Sequence, residues 1–288
     1  MALSPAHRWG QIIGEVLEAA VTPMLERFAS AHRLYLDKQG HRSCRKGRKC
    51  TWVDGNGNAH DLDFVLERGG TPSHTGNPVA FIETAWRRYT KHSRNKAQEI
   101  QGAILPLAEK YSNSAPFKGA ILAGVFTDGA LTQMRSLGFK ILYFPYQIIL
   151  DAFSQLTIDA SSEEDTPDQE FQTKIDQYEA LSHQRRLELA TELMRLNATQ
   201  VSEFTNALTI AVSRRIERVV VLPLHGQTHE LLTLDAAISF IRDYSDRNPP
   251  TPIHRYDIQI TYSNRDSIEA KFADKQTAIQ FLESYKPQ

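Results

Sequence analysis

The first thirty residues carry apolar side chains at helical spacing. Ser4 followed by Pro5 is a common helix start, because Ser caps free backbone N–H groups and Pro fits the first helical turn. The pattern predicts an amphipathic helix from residue 5 that Pro23 kinks or restarts. Its apolar stripe contains Trp9, Ile12, Ile13, Val16, Leu17 and Ala20.

Short apolar runs bounded by Gly and Asn predict a β-hairpin after a strand near Leu34 and a loop rich in Lys and Arg. The two arms are CTWVD and AHDLDFVLE, joined by GNGN. The residues of a continuous second arm alternate between two faces. One face then holds Leu62, Phe64 and Leu66, and the other holds Asp61, Asp63 and Val65.

Three further strands are predicted, at PVAFIETAW after the loop 68–78, at 119–126 and at 139–144. The last two are almost wholly apolar, which is typical of strands buried on both faces of a mixed sheet covered by helices. Ser93 is the expected N-cap of the helix that precedes them. Other helices are expected between these two strands and after the second. The buried face of the Ser93 helix contains Ala97, Ile100, Ile104 and Leu107.

An acidic, polar segment at 157–170 predicts a domain boundary. We therefore expect a catalytic domain at 1–157 and a second domain at 158–288. The second domain starts with helical patterns near 171–180, 185–196 and 201–216. Residues 217–244 and 256–285 then share the order strand, turn, strand, helix. This ββα repeat predicts a four-stranded antiparallel sheet with two helices on one face.

Composition excludes several classes of protein. No apolar run reaches the roughly 20 residues that span a bilayer, and the N-terminus lacks the pattern of a secretory leader. Two cysteines in 288 residues exclude a disulfide scaffold and fit a reducing cytoplasm. The net charge of −1 leaves nucleic-acid binding open, because phosphate contact requires only a local basic surface.

Asp63 and Glu83 are expected on neighbouring strands. Two such carboxylates form an all-oxygen site that suits Mg2+, although paired strand acids are also common without a function. Asp61, which shares a strand face with Asp63, is the alternative to Asp63 in this pair. A zinc site formed by His41, Cys44, Cys50 and His60 is the weaker alternative, because the spacing of the cysteines is loose.

Basic residues follow Glu83 without an intervening acid. Such a run is often a solvated surface, but here it lies beside the predicted site and a helix N-terminus, where a phosphate backbone could bind. The segment contains Arg87, Arg88, Lys91, Arg94 and Lys96. A second basic patch contains Lys38, Arg42, Arg45, Lys46, Arg48 and Lys49. Together they favour double-stranded DNA as the partner.

Residues 5–156 resemble the PD-(D/E)XK nuclease superfamily, which includes type II restriction endonucleases. The resemblance rests on the order αβββαβ, an acid in LDFVL, a glutamate in FIETAW and a basic helix after it. It implies a restriction-endonuclease-like α/β (α+β) fold in which Asp63 and Glu83 bind Mg2+. It also implies a supporting acid on the first helix, for which Glu15 is preferred to Glu18.

The chain departs from the family motif at Ala85, where a lysine is usual. Lys96, at the start of the next helix, and Arg87, on the same strand face, are the two possible replacements. In the family, this lysine orients or activates the attacking water and stabilises charge in the transition state. Lysine suits that role better than arginine, because its charge is compact and its pKa is adjustable.

The resemblance thus implies a magnesium-dependent DNA endonuclease, expected to be a sequence-specific type II restriction enzyme. We expect a cytoplasmic homodimer, because cutting both strands of a symmetric site requires two active sites. The alternatives are a DNA repair or recombination nuclease, and an inactive nuclease fold that only binds nucleic acid.

Overall fold

A five-stranded mixed sheet organises the first of two units, Met1–Val212 and Ser213–Gln288, into which the chain divides. The computed structural model describes residues 4–90, 93–224, 226–244 and 255–286. The strands of this unit are β1 (Leu34–Lys38), β2 (Cys50–Val53), β3 (Ala59–Leu62), β4 (Phe64–Arg68), β5 (Asn77–Arg87), β6 (Phe117–Gly124) and β7 (Lys140–Pro145). The strand order in the main sheet is β1-β4-β5-β6-β7, and a separate two-stranded sheet pairs β2 with β3.

Helices cover both faces of this sheet, so the prediction of a mixed sheet flanked by helices is confirmed. One face packs against α1 and the helices of the second half of the unit, and the other against α2, α3 and the β2–β3 hairpin. The helices are α1 (Pro5–Ala31), α2 (Ser93–Lys110), α3 (Asp128–Ser136), α4 (Tyr146–Ser154), α5 (Asp168–Glu179), α6 (His183–Leu196) and α7 (Ala198–Val212).

The first helix has the predicted start. The side chain of Ser4 accepts a hydrogen bond from the backbone N–H of His7 at 3.3 Å, and the predicted apolar stripe is buried. The helix continues through Pro23 without a restart. Ser93, the expected N-cap, is the first residue of α2 in the described ranges, and its hydroxyl donates to the Thr90 carbonyl at 2.8 Å.

The second arm of the predicted hairpin is not one continuous strand. It breaks at Asp63 into β3, which pairs with β2, and β4, which pairs with β1 and β5. An unbroken strand would place Leu62 and Phe64 on one face. Instead, Leu62 packs on the α2 side of the sheet and Phe64 on the α1 side. The break leaves Asp63 in a bend beside the main sheet.

The first unit extends well beyond residue 157. Ile158 and Ala160 are buried with α1, and α5, α6 and α7 belong to the same core. The side chains of Asn197 and Gln200 also bind the free edge of β7. Asn197 Nδ2 donates to the Tyr143 carbonyl at 2.9 Å, and Gln200 Oε1 accepts from the Tyr143 N–H at 3.4 Å. The structure therefore places the boundary at residue 213.

The second unit contains a four-stranded antiparallel sheet in the order β11-β10-β8-β9. Its apolar core lies between the sheet and two helices that pack side by side. The elements are β8 (Ile216–Pro223), β9 (His229–Leu231), α8 (Leu234–Asp243), β10 (Tyr256–Tyr262), β11 (Ser267–Phe272) and α9 (Lys275–Ser284). Within the described ranges, no helix is long and apolar enough to cross a membrane.

Candidate active site

Asp63 and Glu83 lie side by side. The backbone N–H of Asp63 donates to Glu83 Oε1 at 3.2 Å. The pairing of β4 with β5 creates this contact, because Phe64 is opposite Ile82 and Asp63 is therefore next to Glu83. Glu83 is 8% exposed, so its carboxylate is shielded from bulk water. The two acids that the sequence places on neighbouring strands thus converge at one point.

Thr84 orients the Asp63 carboxylate. Its backbone N–H and its hydroxyl both donate to Asp63 Oδ2 at 2.7 Å. Within the described residues, neither Asp63 Oδ1 nor Glu83 Oε2 accepts a hydrogen bond. These two oxygens are therefore available for a ligand. The sequence did not predict Thr84 as a site residue. The one signal for it was its position next to Glu83 in the chain.

Burial and the negative charge of Asp63 raise the pKa of Glu83 to about 8. Lys96 acts in the opposite direction, because its positive charge favours the ionised carboxylate. Two carboxylates this close are unfavourable when both are ionised, unless a proton or a cation compensates their charge. The pair can therefore hold a proton on Glu83 or a cation beside the two side chains.

Two acids of α1 were candidates for supporting the pair. Glu15 is tied to Arg8 by an ion pair of 2.8 Å at the exposed side of the helix. Glu18 interacts electrostatically with both Asp63 and Glu83. Although its side chain is exposed as a whole, partial desolvation and the charge of Asp63 raise the pKa of Glu18. Of the two acids, Glu18 is therefore the one whose charge acts on the pair, although the resemblance gives preference to Glu15.

Lys96 and Arg87 are the two candidates for the lysine that is missing at Ala85. Lys96 lies in the first turn of α2, is 22% exposed, and pairs with Glu99 at 3.2 Å while interacting with Glu83. Arg87 is the last residue of β5, and its guanidinium donates to the Trp86 carbonyl at 2.7 Å. Lys96 is thus the candidate whose charge acts on the site.

The remaining basic residues after Glu83 differ in their availability. Arg88 stacks 4.1 Å from the Tyr146 ring and donates to the Ser162 carbonyl, so it holds the segment after α4 in place. Arg94 is exposed on the first turn of α2. Lys91 lies outside the described residues.

The second basic patch is partly structural. Arg42 is 3% exposed and forms an ion pair with Asp37 at 2.9 Å and hydrogen bonds to Glu67. Arg45 binds Asp37 as well, so neither side chain is free for phosphate. Lys46 is exposed, as a residue that contacts DNA must be.

The alternative ligands are engaged elsewhere. Asp61 lies on the β2–β3 hairpin, where it accepts hydrogen bonds from Lys49 and Thr51 at 2.6 Å. His60 Nε2 is 3.0 Å from Asp54 Oδ2 in the same hairpin, and Cys50 is buried. No group of three or more His, Cys, Asp or Glu side chains in the described part of the chain is arranged to hold a metal ion.

Comparisons with known proteins supply no family. No family model matches the chain, and neither does any curated protein. One crystal structure, of a protein of unknown function named AF1548, aligns with 64% of this chain and 98% of its own. Its TM-score is 0.27 at 11% identity, which is too low to support an argument.

Proposed function

We propose that the chain is a magnesium-dependent endonuclease that hydrolyses phosphodiester bonds in DNA. The observation that carries the proposal is the contact between Asp63 and Glu83, with one oxygen of each carboxylate left available for a cation. Without the separate β2–β3 hairpin, the elements around them follow the order α1, β1, β4, β5, α2, β6, which is αβββαβ and supports a restriction-endonuclease-like fold of the PD-(D/E)XK type.

The residues present fit Mg2+. This ion commonly takes one or two protein carboxylates and keeps several waters, so a cluster of three ligands is not required. Asp63 and Glu83 would hold the ion, and Glu18 would add negative charge beside them. When bound, Mg2+ stabilises charge on the scissile phosphate and lowers the pKa of a bound water. The cation would also bring Glu83 into its ionised form, which the metal-free site disfavours.

The chain's own residues have distinct roles in this proposal. Thr84 fixes the Asp63 carboxylate through Oδ2, which leaves Oδ1 for the cation. Lys96 leaves Glu99 and donates to the attacking water or to a phosphate oxygen, which places positive charge where negative charge develops. The backbone N–H groups at the start of α2 offer further donors to the phosphate.

Wild-type protein incubated with supercoiled plasmid tests the proposal. We expect nicked and linear DNA with Mg2+ and no cleavage with EDTA. Two results contradict the proposal: cleavage that continues in EDTA, and plasmid that stays uncut at every Mg2+ concentration. Discrete fragments from a linear DNA support a type II restriction enzyme acting as a homodimer, whereas cutting only at junctions or flaps supports the repair alternative.

Lys96→Ala is expected to lower the cleavage rate by about 10²–10⁴-fold, the range for loss of a positioned proton donor or transition-state charge. Single-turnover cleavage of a labelled duplex measures it. Arg94→Ala removes a cation from the same helical turn and is the matched control, with a much smaller expected effect. If Lys96→Ala retains its rate and Arg87→Ala does not, the role belongs to Arg87.

A further inference from the structure

Two loops of the first unit are joined into one cluster by the buried side chain of Arg42. We call residues 39–49 and 69–76 the two-loop cluster. Arg42 Nη2 donates to Glu67 Oε2, to the Thr71 carbonyl and to the His74 carbonyl at 2.7–2.9 Å. Its guanidinium also lies 4.3 Å from the centre of the Tyr35 ring. One buried side chain therefore connects both loops to the sheet.

The backbone of the cluster is closely packed. Gly76 N–H donates to Glu67 Oε2 at 2.6 Å, and a Cβ atom on Gly76 would lie 2.3 Å from the Gly70 nitrogen. In the other loop, Gly40 N–H donates to the Arg48 carbonyl at 2.7 Å. Exposed loops held this way are rigid before they meet a ligand, which reduces the entropy lost on binding.

The charged side chains of the cluster are all positive. Its residues include five Lys and Arg side chains and no acid. Arg42 and Arg45 neutralise the buried Asp37 and Glu67. Lys46 and Arg48 remain exposed and have no acidic partner in the described ranges. Lys49 pairs with Asp61 of the β2–β3 hairpin. The ion pairs of Arg42 and Arg45 thus build the loops, and Lys46 and Arg48 are the two cations left unpaired at the surface among the described residues.

The cluster lies on the same face of the sheet as Glu83. Asp37 is paired with Val65, and Val65 with Phe81, so these residues share a face, as Phe81 does with Glu83 two positions later. Glu67, which anchors Arg42, lies in β4 four residues after Asp63, which corresponds to about 13 Å at the rise of an extended strand. That distance corresponds to about four base pairs of B-DNA.

We propose that the two-loop cluster is the surface that grips the duplex backbone beside the cleavage site, with Lys46 and Arg48 as its phosphate contacts. The proposal takes the identity of the ligand, duplex DNA, from the proposed function. In the described part of the second unit, Arg218 pairs with Glu230 and Arg255 with Asp257, so acids neutralise these exposed cations of its sheet.

Binding of a fluorescent DNA duplex in Ca2+, measured by anisotropy from 50 to 300 mM salt, tests the proposal. For the double variant Lys46→Gln, Arg48→Gln we expect at least about tenfold weaker binding at low salt and a slope of log K against log salt that is smaller by about 2. The matched control is Arg135→Gln, Lys140→Gln, which removes one Arg and one Lys from exposed positions in the same unit. It should leave both values unchanged.

Equal affinities for the two double variants overturn the proposal, as does tighter binding to an RNA duplex than to DNA. Equal unfolding temperatures for both variants exclude loss of folding as the cause. The outcome is independent of the nuclease assignment. If the plasmid remains intact while the cluster variant loses DNA binding, the proposed function fails and the duplex surface stands. If DNA is cut and the cluster variant binds normally, only the duplex surface fails.

Discussion

Glu83→Gln is expected to abolish Mg2+-dependent cleavage and at the same time stabilise the metal-free protein above neutral pH. The amide keeps the shape and most of the hydrogen bonding of Glu83 but cannot supply an anionic oxygen to Mg2+. Loss of a cation site should reduce the single-turnover rate by at least about 10³-fold, as for other large electrostatic contributions.

The gain in stability follows from the sign of the pKa shift. The pKa of Glu83 rises from its ordinary value near 4.5 to about 8 in the folded chain, chiefly because the group is buried. The folded state therefore holds the proton more tightly than the unfolded state. Stability is full below pH 4.5 and decreases as the pH rises to about 8. Gln at this position removes the decrease, which is on the order of a few kcal/mol.

Urea unfolding of both proteins in EDTA at pH 5 and pH 8 measures this effect. The wild type should lose stability between the two pH values, and the variant should lose much less. Asp63→Asn provides the comparison for activity, since it should abolish cleavage too. Full cleavage by both variants would falsify the site. Cleavage by Asp63→Asn alone would leave Glu83 as the essential acid.

Arg42→Met is expected to destabilise the first unit by about 3–5 kcal/mol, the range for removing one partner of a buried ion pair. Burial lowers the pKa of the Arg42 guanidinium, but the hydrogen bond and charge of Glu67, with those of Asp37, raise it above its usual value. The cation is thus firmly held. Without it, Glu67, which is 0% exposed, becomes an uncompensated buried carboxylate.

Chemical denaturation followed by circular dichroism measures the loss. Lys46→Met, at an exposed position of the same loop, is the control and should change stability by less than about 0.5 kcal/mol. Arg42→Met, Glu67→Leu removes both charges and should recover much of the loss, because apolar pairs often replace buried ion pairs. If Arg42→Met does not fold, the double variant still tests whether the unpaired Glu67 carboxylate causes the loss. A double variant that also fails to fold contradicts the ion-pair explanation.

Much of the architecture is encoded locally and could be predicted. Apolar periodicity gives α1 and α2, and the continuous apolar runs give β6 and β7. The adjacency of Asp63 and Glu83 follows from a hairpin arm and the next strand. Turn residues and side-chain periods depend on near neighbours in the chain, so one sequence is enough to show them.

What escaped prediction depends on tertiary contacts. Glu15 and Glu18 flank the same apolar stripe, and only the direction in which α1 crosses the sheet brings Glu18 to the pair. The burial of Arg42 is equally hidden, because composition does not distinguish a buried, ion-paired arginine from a solvated one. The acidic segment at 157–170 has the composition of a linker, yet Ile158 and Ala160 anchor it to the core.

The side chains that bind the β7 edge bear on aggregation. An exposed strand edge can recruit a strand from another molecule. Asn197 and Gln200 occupy both backbone groups of Tyr143, so an incoming strand would have to displace them. A fragment that ends at residue 157 would lose this protection and expose a sheet edge along β7. The helices α6 and α7 therefore help to keep the five-stranded sheet from joining copies of itself.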